Sequence, residues 1–195
     1  MKKKSVYIFI FDGYSDWEIS YAAPEIMNSG KYGIKTFSLD GRNVRSMGGL
    51  NVYPDIPLTA IDMENVAMLV LPGGKAWEER ILNEIMPFVK NLRISGIPVA
   101  AICGATLFLA DIGFLDNVKH TSNAREYLQT LSTGYKGKDK YQDALAITDE
   151  NIITASGISP IEFAREILIK LEIHEPEMVE KWYQLFKNGV RTNEG

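Results

Sequence analysis

The sequence predicts an α/β protein with a doubly wound, mostly parallel sheet and helices on both of its faces. Apolar, β-prone runs alternate along the chain with segments in which apolar residues recur at helical spacing. The β-prone runs are continuously apolar, as expected of strands covered on both faces. No internal repeat, low-complexity tract or linker interrupts this alternation. In sheets of this kind, functional residues collect at the carboxyl ends of the strands.

Each predicted strand is a short apolar run bounded by turn residues. The strands expected in the central sheet are Val6–Phe11, Ile34–Leu39, Val66–Leu71, Gly96–Ile102 and Val118–Thr121. Leu145–Thr148 and Ile152–Ala155 flank Asp149-Glu150-Asn151 and predict a short hairpin. Met47–Pro57 holds two glycines and two prolines, so an irregular or two-stranded excursion is expected there.

The predicted helices begin or end at recognisable capping residues. Pro87 and Pro176 suit the first turn of a helix, and Gly113 suits a helix end. Ser159-Pro160-Ile161-Glu162 matches a capping box with proline at the first helical position. The helices expected are Ser15–Met27, one opened by Pro87, Gly104–Ile112, Asn123–Leu131, one opened by Ser159, and Pro176–Phe186.

Length and composition fit one globular domain. With 195 residues, 46% of them hydrophobic, 1–195 is predicted to form a single domain with its core at about 5–172 and an extra helix at about 176–188. The 21 basic and 25 acidic residues give a net charge of −4 without a basic stripe, which argues against nucleic acid as a partner. The first apolar run ends at Asp12, too early for a membrane span or a signal peptide. A single cysteine excludes an internal disulfide, so we expect a cytoplasmic protein that contacts no membrane.

Cys103 is the predicted reactive centre. It follows the apolar run that ends at Ile102 and precedes Gly104. Ala101 and Ala105 fill the small positions of a Gly-x-Ser-x-Gly nucleophile elbow, with cysteine in place of serine. The N-terminus of the following helix and the amides of the turn favour a thiolate, so we expect a depressed pKa for Cys103. A buried structural cysteine is the alternative, but the position at the strand end favours the elbow.

Two further strand ends carry residues suited to catalysis. The glycines of Pro72-Gly73-Gly74 allow backbone amides to turn towards a neighbouring strand end, as an oxyanion hole requires, although an ordinary βα turn is the alternative. Glu18 is in helical register with the apolar Ala22 and Ile26. A carboxyl there would be desolvated and protonated, and able to donate a hydrogen bond to a thiolate. Ser15-x-x-Glu18 is equally a capping box, which would give Glu18 a local role.

The two histidines have structural interpretations. His120 shares a strand face with Val118 and is either a core histidine, which the residues alone favour, or a group that approaches Cys103. His174 follows a helix and is expected to complement its C-terminal dipole. One cysteine and two scattered histidines make no zinc spacing, and no Gly-x-Gly-x-x-Gly follows a strand. We therefore predict neither a metal nor a dinucleotide cofactor.

Three motifs together resemble the ThiJ/PfpI superfamily. They are Ala-Ile-Cys-Gly-Ala at 101–105, Leu-Pro-Gly-Gly at 71–74 and Asp-Gly-x-x-Asp-x-Glu at 12–18. Their order and spacing match this group from Val6 to Leu171, and the elbow combined with the first-strand glutamate is the specific part. The resemblance implies a flavodoxin-like fold, shared with class I glutamine amidotransferase domains, and a dimer or larger oligomer.

The resemblance also implies roles for individual residues. It makes Cys103 the nucleophile and Glu18 the buried acid that contacts its sulfur. The amides of Gly74 and Gly104 become oxyanion-hole donors. Where the family carries a catalytic histidine, it tends to fall one or two residues further along the strand than His120. That shift weakens the expectation of peptidase or amidase activity.

Two classes of function remain compatible with the sequence. One is a cysteine hydrolase, or a glyoxalase- or deglycase-type enzyme, acting through Cys103 on a peptide, an amide or a small aldehyde. The other is a redox-responsive or protein-protecting module in which Cys103 is oxidised without turnover. We expect a small-molecule or peptide substrate and a homodimer. The dimer is also favoured by an apolar stripe on the last helix, formed by Val179, Trp182, Tyr183 and Phe186.

Overall fold

The strands of the protein form one sheet of seven and one of two in a computed structural model that describes residues 3–190. Met1, Lys2 and 191–195, parts of the predicted 1–195 domain, lie outside the described residues. The strands are β1 (Ser5–Phe9), β2 (Gly33–Ser38), β3 (Val44–Arg45), β4 (Asn51–Val52), β5 (Ile56–Pro57), β6 (Val66–Leu71), β7 (Val99–Ile102), β8 (Ala146–Asp149) and β9 (Ile152–Ala155). The helices are α1 (Ala22–Asn28), α2 (Met86–Ile94), α3 (Ala105–Asp111), α4 (Arg125–Leu131), α5 (Pro160–Lys170) and α6 (Pro176–Asn188).

The large sheet has the order β5-β2-β1-β6-β7-β9-β8 and is parallel except for the β8–β9 hairpin. All four residues of β7 and all of β9 are buried, because helices cover both faces of the sheet. The chain passes from β1 outwards to β2 and then returns to β6 on the other side of β1. This reversal is the point at which parallel sheets of this type form binding sites. The predicted α/β fold is confirmed.

The predicted helix Ser15–Met27 is two elements in the structure. Asp16–Glu18 forms one 3-10 turn, and α1 begins only at Ala22. Pro24 therefore falls in the first turn of α1, where its missing N–H costs no helical hydrogen bond. Val118–Thr121 is not a strand: His120 makes a single bridge to Tyr141. The segment 47–57 contains two short strands: β4, which pairs with β3 just before this segment, and the edge strand β5.

The predicted capping box at the start of α5 does not form. The Ser159 hydroxyl donates to the carbonyls of Ser156 and Leu145, both at 2.6 Å, instead of binding the first turn of its own helix. Glu162 turns away from Ser159 towards α6, where it accepts from Tyr183 Oη at 2.9 Å and pairs with Lys187 Nζ at 2.8 Å. Tertiary partners have replaced the local ones.

Helix α6 packs onto α5 of the same chain. Val179 is 1% exposed, while Tyr183 and Lys187 bind Glu162. Phe186 packs edge to face against Tyr21 with ring centroids 5.6 Å apart and stays 47% exposed. Much of the apolar stripe on α6 is thus covered within one chain, which weakens the stripe as an argument for a homodimer. The homodimer itself stays a prediction. No helix within residues 3–190 combines the length and apolar character that a membrane span requires.

We predict that Val179 anchors α6, and that Val179→Ala lowers the free energy of unfolding by about 2 kcal/mol through the loss of two buried methyl groups. The neighbouring Met178 is 48% exposed, so Met178→Ala is the matched control and should change the same quantity by less than about 0.5 kcal/mol. Urea denaturation of both variants measures the difference. Equal losses would contradict the packing of α6 described here.

Candidate active site

Cys103 forms a strained turn between β7 and α3. Its φ angle is +59°, a left-handed value that is unfavourable for a residue with a Cβ. Two hydrogen bonds hold this conformation: Cys103 N–H donates to Ala155 O at 3.0 Å, and Thr106 Oγ1 donates to Cys103 O at 2.6 Å. The predicted nucleophile elbow is the observed geometry at this position.

Small residues surround the turn because larger ones would not fit. A Cβ on Gly73 would lie 2.5 Å from Cys103 Cβ and 2.9 Å from its sulfur. A Cβ on Gly157 would lie 2.9 Å from the same sulfur. All three distances are shorter than van der Waals contact. These glycines allow the loops after β6 and β9 to approach the sulfur, which is itself only partly exposed.

Glu18 lies against the Cys103 sulfur and is 1% exposed. Its Oε2 accepts a hydrogen bond from Gly73 N–H at 2.5 Å. The Ser15 N–H, which a capping box would direct to Glu18, donates instead to Gly73 O at 2.9 Å. The local interpretation of Glu18 is therefore wrong. Its Oε1 has no hydrogen-bond partner among residues 3–190 and is the atom able to carry a proton.

The charges of Glu18 and Cys103 are coupled. Burial raises the pKa of Glu18 to about 7, against the opposing effects of the Gly73 N–H, Cys103 and Ser15. Burial, followed by the negative charge of Glu18, also raises the pKa of the Cys103 thiol, while hydrogen bonds from Asn123 and Gly104 N–H lower it. The predicted depression of this pKa is therefore wrong. The prediction took account of the helix N-terminus and the turn amides, which lower the pKa of the thiol. It did not take account of desolvation and the Glu18 carboxylate, which raise that pKa.

Asn123 is a contact of the sulfur that the sequence analysis did not identify. Its Nδ2 donates to Cys103 Sγ at 3.5 Å, and its Oδ1 accepts from Gly157 N–H at 2.9 Å. In the sequence, Asn123 was expected only to open a helix, and α4 in fact begins at Arg125. The available signal was its position directly after Ser122, at the end of a buried segment near the sheet edge.

His120 is a core histidine rather than a general acid for Cys103. It is fully buried, its Nδ1 is 2.7 Å from Val118 O and its Nε2 is 2.5 Å from Tyr135 Oη. Burial lowers the pKa of His120, which favours the neutral ring. Because both ring nitrogens already have hydrogen-bond partners, the candidate catalytic role of His120 is corrected to a structural one. His174 is partly exposed and lies 3.5 Å from a carboxylate oxygen of Glu25.

The predicted oxyanion-hole residues lie next to each other. A Cβ on Gly104 would be 2.8 Å from Gly74 O, so the two turns are in direct contact. Trp77 holds the Gly74 turn in place by donating from Nε1 to Pro72 O at 2.8 Å. The Gly104 N–H already points at the Cys103 sulfur. Oxyanion binding by the Gly74 and Gly104 amides stays a prediction.

A cleft of about 260 Å³ lies next to the active site, on the side of Asn123. Asn123 belongs both to the wall of this cleft and to the contacts of Cys103. The volume is just below the range of pockets that hold drug-sized ligands, which suits a smaller molecule. The other lining residues are Thr121, Ser122, Tyr141, Asp143, Ala144, Leu145, Ser156 and Ile158.

The raised pKa of Glu18 predicts that stability depends on pH. A carboxyl whose pKa rises from 4.5 to about 7 on folding stabilises the fold by about 3 kcal/mol below its unfolded pKa, and this contribution is lost as the pH rises through the folded value. Glu18→Gln cannot ionise, so the difference in unfolding free energy between wild type and variant should fall by that amount between pH 4 and pH 8. Urea titrations across this interval measure it. A constant difference would contradict the raised pKa.

Comparison with known proteins agrees with this geometry. The DJ-1/PfpI family model matches residues 4–170. The uncharacterized protease YoaZ of Bacillus subtilis is 39% identical over 195 residues, spanning 96% of this chain and 92% of that protein. Deglycase TK1284 of Thermococcus kodakarensis is 32% identical over 151 residues, spanning 77% and 88%.

A solved structure is equally similar in fold. The thiJ/pfpI family protein from Bacillus anthracis superposes with a TM-score of 0.91 at 38% identity, covering 97% of this chain and 93% of that one. Its fold is the flavodoxin-like arrangement that the motifs around Glu18, Gly74 and Cys103 implied. On the match of its sequence, its fold and these relatives, the chain belongs to the DJ-1/PfpI family.

Proposed function

We propose that this protein is a cysteine-dependent enzyme that converts small reactive aldehydes by adding Cys103 to their carbonyl carbon. One observation carries the proposal: the only titratable side chain in contact with the sulfur, among residues 3–190, is the buried Glu18. A carboxyl with a pKa of about 7 holds and releases a proton near neutral pH. Relatives named as deglycases are consistent with a carbonyl substrate.

The first step is addition to an aldehyde. The Cys103 thiol gives its proton to the Glu18 carboxylate, the resulting thiolate forms a bond to the carbonyl carbon, and the electron pair of the C=O π bond moves to the oxygen. The proton of Glu18 Oε1 neutralises that oxygen, giving a hemithioacetal and a Glu18 carboxylate. In this scheme the amides of Gly74 and Gly104 stabilise the charge on the oxygen while it develops.

With a 2-oxoaldehyde, the same carboxylate completes the reaction. Glu18 removes the proton from the carbon attached to sulfur and returns it to the neighbouring carbonyl carbon, while the hydroxyl proton passes to the second oxygen. The product is a thioester of a 2-hydroxy acid. Water hydrolyses this thioester, releases the acid and restores the Cys103 thiol. The net change is the addition of one water molecule, so no oxidant or cofactor is required.

Peptide hydrolysis fits the site less well. The departing amine of a peptide must receive a proton as the C–N bond breaks, and cysteine peptidases use an imidazole for this purpose. Both ring nitrogens of His120 are bonded to Val118 and Tyr135. The name protease carried by a relative such as YoaZ therefore does not decide the reaction of this chain.

We predict that methylglyoxal is consumed by the wild type, that Cys103→Ser abolishes this activity, and that Glu18→Gln lowers kcat about 10²–10⁴-fold because proton transfer is lost. His120→Ala is the control: its kcat per reactive thiol should match the wild type, although its melting temperature falls. Lactate formation and cleavage of a peptide anilide are followed in parallel. Anilide cleavage that rivals methylglyoxal turnover and disappears in His120→Ala would instead establish a hydrolase.

A redox-responsive role is the second candidate, and the donors around the sulfur favour it. Asn123 Nδ2, Gly104 N–H and the protonated Glu18 all surround Cys103 Sγ, and the same groups would hydrogen-bond to sulfur-bound oxygen atoms. Hydrogen peroxide would transfer one oxygen atom to the thiolate and leave as water, and a second equivalent would give the sulfinate.

We predict that limiting peroxide oxidises Cys103 before the methionines, and that Glu18→Leu slows this oxidation. Met27 and Met47 are 53% and 51% exposed and serve as internal competitors. Peptide mass mapping after brief exposure measures the order. Methionine sulfoxide formed while Cys103 stays reduced would remove the redox role.

A further inference from the structure

We propose that the carboxamide of Asn123 positions the Cys103 thiolate by a hydrogen bond and, because a carboxamide does not give up a proton, restricts the site to carbonyl additions from which no amine departs. Asn123 is thus a positioning residue that narrows the substrate class. The restriction on substrates rests on the proposed function. The hydrogen bond to the thiolate does not, since it concerns the protein without substrate.

The orientation of Asn123 follows from its second contact. Gly157 N–H is a donor, and it lies 2.9 Å from Asn123 Oδ1. The carbonyl end of the amide must therefore face Gly157, which leaves the NH₂ end towards the sulfur, 3.5 Å away. If the amide were flipped, its NH₂ group would face the Gly157 N–H, and two donors would meet without an acceptor. The backbone of the loop after β9 thus decides which end of Asn123 meets Cys103.

The same loop holds Cys103 at two points. Ala155 O accepts the Cys103 N–H at 3.0 Å, and two residues later Gly157 touches the sulfur. A Cβ on Gly157 would lie 2.9 Å from Sγ and 3.3 Å from Asn123 Oδ1, so glycine is needed for this approach. Asn123 therefore joins the segment before α4 to the loop after β9 across the sulfur.

The two side chains on the sulfur differ in one chemical property. Glu18 gains and loses a proton near neutral pH, whereas Asn123 donates a hydrogen bond at every pH. A donated hydrogen bond favours the thiolate over the thiol. Of the two side chains in contact with the sulfur, only Glu18 can deliver a proton. Tyr127, which is also coupled to the charge of Cys103, donates its hydroxyl hydrogen to Glu78 Oε1 at 2.9 Å. The cleft opens on the Asn123 side of the sulfur, since Asn123 is one of its lining residues.

The placement of Glu18 and Asn123 discriminates between amide and aldehyde substrates. A molecule whose tail enters the cleft past Asn123 meets Tyr141 and Asp143 on the cleft wall, but neither of these acts on the Cys103 sulfur, and the side chain that contacts the sulfur on this side is a carboxamide. Addition to an aldehyde needs only one proton, at the carbonyl oxygen, and Glu18 supplies it. The structure therefore favours small aldehydes and 2-oxoaldehydes over amides of similar size.

The test measures the pH dependence of Cys103 alkylation by iodoacetamide in the folded protein. Asn123→Ala removes the donor and should raise the inflection by about one pH unit, since a hydrogen bond to a charged group contributes about that amount. Asn123→Asp keeps an acceptor for Gly157 and replaces the donor by a negative charge, so it should raise the inflection further. Asn43→Ala, an exposed asparagine in the loop before β3, is the matched control and should leave it unchanged.

An inflection in Asn123→Ala and Asn123→Asp that equals the wild-type value would overturn the proposed hydrogen bond. A purely structural role would lower the melting temperature without moving the inflection, so thermal unfolding of each variant is recorded alongside. Alkylation does not require turnover, and the result stands even if the wild type leaves methylglyoxal unchanged. That outcome would reject the proposed function alone.

A separate variant tests the proposed restriction on substrates. Asn123→His places an ionisable donor beside the sulfur, and we expect cleavage of a peptide anilide to rise at least tenfold above the wild type, within the range typical of general acid help. Because Asn123→Ala has no acid there and holds less thiolate at a given pH, its anilide cleavage should not exceed the wild-type level. Equal, undetectable cleavage in both variants, with a reactive Cys103, would overturn the restriction.

Discussion

The contact between the buried Glu18 carboxyl and the Cys103 sulfur is the interaction on which the site depends. Two ionisable groups lie together, shielded from water, where one net negative charge is far easier to hold than two. A proton on Glu18 removes the repulsion that opposes the thiolate. The pair therefore provides a nucleophile and an acid at the same moment, which carbonyl addition needs.

Several features elsewhere in the fold make the contact between Glu18 and Cys103 possible. Glu18 reaches the sulfur because β1 lies beside β6 and because the Gly73 N–H fixes one carboxyl oxygen. Cys103 reaches Glu18 because its backbone adopts a left-handed turn, which is held by Ala155 and Thr106. Gly73 and Gly157 leave no side chain between the loops and the sulfur. Strain at one residue is thus maintained by ordinary hydrogen bonds around it.

Other polar residues of the core stabilise the scaffold and do not take part in the chemistry. His120 uses both nitrogens to join Val118 to Tyr135, which satisfies a fully buried ring. Glu162, in the first turn of α5, binds Tyr183 and Lys187 of α6 and so fixes the terminal helix on the helix that follows the Gly157 loop. His120 differs from Glu18 in that both of its ring nitrogens have a partner, and Glu162 differs in that a lysine balances its charge.

The sequence by itself determined the features that depend on neighbouring residues. The alternation of strands and helices, the mostly parallel sheet and the elbow at Cys103 follow from apolar periodicity and from the small residues around 101–105. The tertiary structure decided what depends on residues far apart in the chain. Glu18 binds Gly73 rather than capping its own turn, and Asn123 rather than His120 meets the sulfur. The ionisation of Cys103 was likewise beyond the sequence, because desolvation is set by every element that packs around a group and not by its neighbours in the chain.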